Sequence, residues 1–406
     1  VTDRFQHHRL ANGLTVIAEP TPGAHTAAVG FFVKAGTRDE DKPLMGVSHF
    51  LEHMMFKGTA RRSADDVNRE FDEIGANYNA YTSQENTVYY AQMLPEYLPT
   101  AVDLFADMLR PALRDSDFEM EKKVIIEEIG MYDDRPQWRL HDAMLEQHFA
   151  DHPMGYRVLG TVESITALTA EQMRGYFEHR YSPDNITVAA AGAVDFDKLV
   201  ADIEQRAGDW RATGATRAYP AASIVDRDVT MTDEKLSRHY IGAIAAAPDA
   251  QDMRRYAAGV AAQTIGDVDG SRLYWALVDP GLADDADFAH HAHDKLGSFV
   301  AFASCDPKRA KKVERILLDT IDRSADELTE GEVERAKNKL ATEVTLHGER
   351  PGGRMRELGG QWTYLNQYTS LPEEMDRIMA VSLDDVKAQL LDTPFKPRTV
   401  VRLGPA

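Results

Sequence analysis

The chain has 406 residues, with 66 acidic and 46 basic side chains and a formal net charge of -20. It is long enough for two ordinary domains, and its carboxylate surplus has the wrong sign for phosphate, which argues against nucleic acid as the main partner. A hydrophobic fraction of 43% and a charged fraction of 28% are those of a globular protein, and no apolar run approaches the roughly 20 residues of a membrane span. The acidic balance suits basic or unfolded cationic peptides where it faces a site, and elsewhere reads as solvated surface. Cys305 is the single cysteine, so there is no intrachain disulfide and no cysteine metal cluster. That fits a reducing, cytoplasmic compartment. No signal peptide is visible; the numbering starts at Val1, so a removed leader and a periplasmic location stay open.

In chain order, residues 14–18 and 27–33 read as strands around a Pro/Gly turn. Ser48-His49-Phe50-Leu51-Glu52-His53-Met54-Met55-Phe56 follows, in the order H-x-x-E-H, the inverse of the common zinc-protease order. Gly46 and Ser48 stand before Leu51, Met54 and Met55, and Lys57-Gly58-Thr59 offers a stop, so the segment is predicted helical. His49 and His53 then lie one turn apart and point the same way. Two imidazoles so placed can hold one zinc ion, and Glu52 beside them can take a proton from water. The competing reading is a core helix that happens to carry two histidines, and a third ligand decides between them.

Gly75-Ala76-Asn77-Tyr78-Asn79-Ala80-Tyr81-Thr82-Ser83 reads on its own as a hairpin with Asn at a turn. Residues 100–109 and 118–132 have helical spacing. On the second of these helices Glu121 and Glu128 share a face, whereas Glu127 points about 100° away. Glu128 is the choice for the third ligand and Glu121 for a carboxylate that orients a ligand. Spacing alone describes equally well an ordinary charged helix whose glutamates pair with Lys122 and Lys123. Residues 186–192 read as a buried strand, and the aperiodic stretch from Trp210 to Ala222 as a linker.

The chain repeats itself. Leu168-Thr169-Ala170-Glu171-Gln172-Met173 matches Val381-Ser382-Leu383-Asp384-Asp385-Val386, each with a Thr or Ser cap before a helix start. Thr187-Val188 with Gly192 matches Thr399-Val400 with Gly404, and Tyr132-Asp133-Asp134-Arg135-Pro136 echoes Gly348-Glu349-Arg350-Pro351. The three separations are nearly equal, about half the chain, which predicts two homologous domains, 1–212 and 223–406. Strands first and helices later give an α+β fold, mixed sheets packed with helices. The second half has no H-x-x-E-H, and the position matching Glu128 is Ala341, so only the first domain carries the zinc site. Gly348-Glu349-Arg350-Pro351-Gly352-Gly353-Arg354 reads as a turn and a candidate mobile substrate loop. It is no phosphate loop, because no Gly-Lys-Ser/Thr follows.

The H-x-x-E-H of His49 to His53, the distant Glu128, and Glu121 seven residues before it together resemble the pitrilysin (insulinase) family of zinc peptidases. Phe50-Leu51-Glu52-His53-Met54 and Phe56-Lys57-Gly58-Thr59 look like that family as well. The likeness covers essentially the whole chain, including its duplicated halves, and is to a half-size subunit related to mitochondrial processing peptidase. It implies a Zn2+ ion on His49, His53 and Glu128, with Glu52 as general base and later proton donor, and Glu121 as a supporting catalytic carboxylate. It also makes residues 75–83 an edge strand to which an extended peptide adds, touched at Asn79 and Ala80. The fold implied is half of a clamshell.

One departure from the family pattern stands out. The family's C-terminal half usually carries an Arg and a Tyr, seven residues apart, that hold substrate and oxyanion. Here those positions fall on Val278 and on Asp284 or Asp285, neither of which can donate to an oxyanion. Arg272 belongs to another part of the pattern and reads as a structural or surface arginine. The expectation is a zinc-dependent endopeptidase subunit acting on peptides or unfolded segments inside a two-chain chamber. Its partner is either a related chain that supplies Arg and Tyr, giving a heterodimer, or a second copy, giving a homodimer. In the homodimer His290, His291 or His293 would be substitute donors unless they are merely exposed loop residues. The alternatives are a presequence-trimming processing peptidase and a non-catalytic assembly or peptide-binding subunit.

Overall fold

The computed structural model describes residues 4–222 and 226–405; the expected domain limits at Val1, Ser223 and Ala406 lie outside them. The chain forms two compact units. The first comprises Val1–Gly130, Tyr156–Ala218 and Leu346–Tyr368, and the second Met131–Gly155, Tyr219–Thr345 and Thr369–Ala406.

The first unit is built on a sheet of β1 (Gln6–Arg9), β2 (Thr15–Pro20), β3 (Ala27–Val33), β4 (Asn77–Thr82), β5 (Thr87–Met93) and β6 (Ile186–Gly192). Their spatial order is β1-β2-β6-β3-β5-β4, and only β2 and β6 run parallel. β3 is apolar along its whole length and buried on both faces, as a central strand must be. One face carries the main core, in which Phe31, Phe50, Phe71, Phe105 and Phe118 pack with the helices of this unit. On the other face Met355 and Leu358, from the helix Pro351–Leu365, cover Ile17, Ala28, Phe32 and Val88. β4 closes the sheet with exposed and half-buried residues in strict alternation, and its outer edge pairs with no strand among the described residues.

The second unit repeats the plan with β7 (Arg227–Thr232), β8 (His239–Ala247), β9 (Asp285–His293), β10 (Leu296–Cys305) and β11 (Arg398–Gly404). Their order is β7-β11-β8-β10-β9, with only β7 and β11 parallel. β2, β6, β3, β5 and β4 therefore correspond to β7, β11, β8, β10 and β9. The duplication read from sequence is a duplicated fold. Its helix-start signals are real caps, since Thr169 and Ser382 each open a helix with a capping box.

The units are discontinuous along the chain. The helix Pro136–Phe149, which follows the first domain's long helix, packs on β8 and β11 of the second unit through Leu140 and Met144. The helix Pro351–Leu365 does the same on β6, β3 and β2 of the first unit. So residues 131–155 and 346–368 each belong to the unit other than the one a simple cut at 212/223 assigns. Pro136 and Pro351, paired in the sequence repeat, are both the first residue of their helix. The expected loop around Gly348–Arg354 is thus corrected: from Pro351 onward it is helix. Its glycines are there for close approach. A Cβ on Gly352 would come 2.4 Å from the Gln92 side chain, and one on Gly359 2.2 Å from the Phe32 ring.

Candidate metal centre

His49 and His53 sit on the helix Val47–Met55, and Glu121 and Glu128 on the helix Asp115–Asp133. Three features hold these helices to each other and to their neighbours. Phe50 stacks on Phe118 with ring centroids 4.7 Å apart and planes 5° from parallel. The histidine helix starts at Gly46, whose left-handed backbone (φ 94°) has no side-chain cap of its own. Glu40 supplies one from an earlier turn, accepting the Gly46 and Ser48 N–H groups at 2.8 Å each. Ser48, read from sequence as preceding the helix, lies inside it, with its hydroxyl 2.8 Å from that of Tyr176.

The geometry brings the three expected ligands together. Nε2 of His53 lies 3.5 Å, and Nε2 of His49 3.8 Å, from Oε2 of Glu128, and one ligand atom from each of the three lies within 4.8 Å of the others. A tetrahedral ion with bonds near 2.1 Å spaces its ligand atoms about 3.4 Å apart, so the donor set fits zinc. Among the described residues no other group of three His, Cys, Asp or Glu comes so close.

The surrounding charges prepare the ligands. Burial, with His53 adding, pushes the His49 imidazole down to about 3, so it stays neutral and able to bind a metal. Nδ1 of His53 lies 2.8 Å from Oε1 of Glu121, and the other Glu121 oxygen lies 2.6 Å from Nζ of Lys57. An Nδ1–H donated to Glu121 leaves Nε2 of His53 free to face Glu128. Burial raises the Glu121 carboxyl, but His53 and Lys57 outweigh it and hold the group below its ordinary value. Burial likewise pulls His53 down, yet Glu121, Glu128 and Glu52 together bring it above its ordinary value. Nδ1 of His49 is buried without a hydrogen-bond partner, the one ligand nitrogen lacking the usual support.

Glu52 is one residue before His53, and its Oε2 accepts a hydrogen bond from the Thr82 hydroxyl at 2.6 Å. Burial raises its carboxyl, against the hydrogen bond from Thr82 and the charge of His53 and with Glu128 adding. A raised carboxyl suits proton transfer at neutral pH. Asn79 and Ala80 lie in β4, not at a turn, and Oδ1 of Asn79 accepts the Ala80 N–H at 2.8 Å. That N–H is thus directed away from β5, toward the strand's open edge. A cavity of about 660 Å³ in the first unit, beside Arg110 and Trp210, is lined by none of these residues.

In the second unit Val278 packs against the core, Asp284 pairs with Arg238 at 2.6 Å, and Asp285 opens β9. Arg272 is tied to Glu332 at 2.9 Å, a structural role. His290, His291 and His293 lie on β9 rather than in a loop, and Nε2 of His290 is 2.8 Å from the Pro248 carbonyl. Sequence reasoning missed Glu40, Lys57, Thr82 and Phe118 as parts of this centre. Lys57 alone had a sequence signal, one turn after His53.

Residues 15–162 match the description "Insulinase (Peptidase family M16)" and residues 167–340 "Peptidase M16 inactive domain". The chain is 34% identical to a protein of Mycobacterium tuberculosis named as an uncharacterized zinc protease, over 93% of this chain and 88% of that one. A protein of the same description in Streptomyces coelicolor is 32% identical, over 98% and 88%. The crystal structure of a protease from Helicobacter pylori superposes with a TM-score of 0.90 at 20% identity, over 99% of both chains. The chain belongs to the M16, pitrilysin-like, family of peptidases.

Proposed function

We propose that the chain is the zinc-bearing subunit of an endopeptidase that cleaves extended or unfolded peptides. The observation that carries this reading is the convergence of His49, His53 and Glu128 on one point with Glu52 beside it. Bound there, zinc supplies Lewis acidity, which activates water and polarises the scissile carbonyl. Glu52 takes the proton of the attacking water and passes it to the departing amine. Glu121 holds His53 in the tautomer that faces the metal. The open edge of β4 offers the Ala80 backbone to a peptide strand, so binding depends on extension more than on side-chain identity. Asn79 releases the Ala80 N–H when the strand adds.

Neither Val278 nor Asp284 nor Asp285 supplies a donor to an oxyanion, so a partner chain completes the site, a related subunit with Arg and Tyr or a second copy. The same observation favours a second reading, a subunit of an assembly that holds peptides without cleaving them. Hydrolysis of a long quenched peptide that stops with a zinc chelator and returns with zinc supports the peptidase. Equal hydrolysis with and without chelator contradicts it.

A further inference from the structure

We infer that Thr82 is the positioning residue of the general base, Glu52. This rests on the peptidase reading above. Thr82 ends β4 and pairs in register with Thr87, the first residue of β5. The fully buried Thr87 hydroxyl donates to the Ala35 carbonyl at 2.9 Å and lies 3.3 Å from the Thr82 oxygen. With the Thr87 proton committed to Ala35, the Thr82 proton goes to Glu52 Oε2 at 2.6 Å. A carboxylate has two oxygens. Fixing one by a short hydrogen bond from the sheet leaves the other with one direction to point.

The turn that joins the two threonines is itself held by buried charge. Glu85, at residue 3 of that turn and 1% exposed, pairs with the buried Arg38 at 2.6 Å. Arg38 N–H also donates to the Gln84 carbonyl at 2.8 Å. Arg217 donates to the Glu85 carbonyl and pairs with Asp39 at 2.7 Å, and Arg180 pairs with Asp39 at 2.5 Å. Gly36 lies so close beneath the turn that a Cβ there would come 2.5 Å from the Ser83 carbonyl. Buried ion pairs contribute little net stability, but they fix geometry where hydrophobic contacts would slide. This network meets the turn at Gln84 and Glu85, two and three residues from Thr82, and it sets where the hydroxyl sits.

Thr82 shares the half-buried face of β4 with Ala80 and Tyr78, which pack on the core beneath the histidine helix. Thr82 therefore stands where the strand meets the helix that carries Glu52. Misplacing a catalytic group by about 1 Å costs on the order of 100-fold in rate.

The test compares wild type, Glu52→Gln, Thr82→Val and Thr82→Ser for zinc content, kcat and KM on a quenched peptide, and the Glu52 rotamer in crystals of the metal-free proteins. Thr82→Val keeps Cβ branching and volume but cannot donate. The expected result is one zinc in each protein, and in Thr82→Val a KM within about twofold and a kcat down about 10- to 100-fold. Thr82→Ser returns kcat to within about threefold of wild type, and only Thr82→Val shows a displaced Glu52 carboxylate. A Thr82→Val kcat equal to wild type overturns the inference, as does a Thr82→Ser as slow as Thr82→Val. No turnover by wild type, either alone or with a related chain that carries Arg and Tyr, overturns the peptidase reading instead. In that case the crystals still decide the contact, because an unmoved Glu52 in Thr82→Val overturns it.

Discussion

At the scale of single residues, Glu121→Gln keeps an acceptor near His53 but loses its charge and its ion pair with Lys57. Zinc affinity, measured by chelator competition, is expected to fall about 10- to 100-fold. His49, Glu52 and His53 are legible in the sequence because a helix turns five adjacent residues into one face. Glu121 and Glu128 are legible as a shared face on a second helix, but family likeness supplies the pairing of that face with the histidines. Thr82 and Glu40 are not legible, because nothing in a lone Thr or Glu says which distant group it will touch. His148, 1% exposed, has its imidazole pushed down to about 4 by burial, with Arg227 adding. The unfolded chain takes up that proton near pH 6.5 and the folded one only near 4, so stability falls as pH drops through this window. Urea unfolding of His148→Gln is expected to lose a part of that slope worth up to about 3 kcal/mol, and an unchanged slope contradicts it.

At the scale of elements, the buried central strands of the first unit are legible in the sequence and the helix Pro351–Leu365 is not. Residues 27–33 and 186–192 are β3 and β6 with the same ends, because a buried central strand writes an unbroken apolar run. The glycines of Pro351–Leu365 read as a turn by local rules, yet they lie in a helix pressed onto the sheet. Tertiary approach decided that choice, and a local reading has no access to it. Nor does local pattern tell a helix which sheet to cover, so the exchange of Pro136–Phe149 and Pro351–Leu365 between units was not legible. Gly30 and Gly242 share the signature: a Cβ would come 2.6 Å from Met355 Sδ in one unit and 2.8 Å from Met144 Sδ in the other. The Phe50–Phe118 stack joins the two ligand-bearing helices. Phe118→Ala is expected to cost about 3–5 kcal/mol in chemical denaturation. It should also weaken zinc binding, although Phe118 touches no ligand. Full zinc affinity in a destabilised Phe118→Ala would show that the helices are set by other contacts.

At the scale of the whole molecule, the duplicated plan brings together one candidate ligand set among the described residues, in the first unit, and Val278, Asp284 and Asp285 stand in the second where an Arg and a Tyr are expected. No helix among the described residues is long and apolar enough to cross a membrane. The account expects the zinc-loaded chain alone to turn over peptide slowly. Addition of a related chain that carries the Arg and Tyr should raise kcat by about 100- to 1,000-fold, the worth of an oxyanion donor. An unaltered rate would place the missing donor within this chain or its own dimer.

The most direct measurement is hydrolysis of an extended quenched peptide by wild type and Glu52→Gln, each with its zinc content determined on the same sample. The account predicts one zinc in both and a rate at least about 100-fold lower in the variant, the contribution of a general base. Equal rates at equal zinc would contradict the assignment of Glu52, and with it the claim that His49, His53 and Glu128 frame a hydrolytic centre.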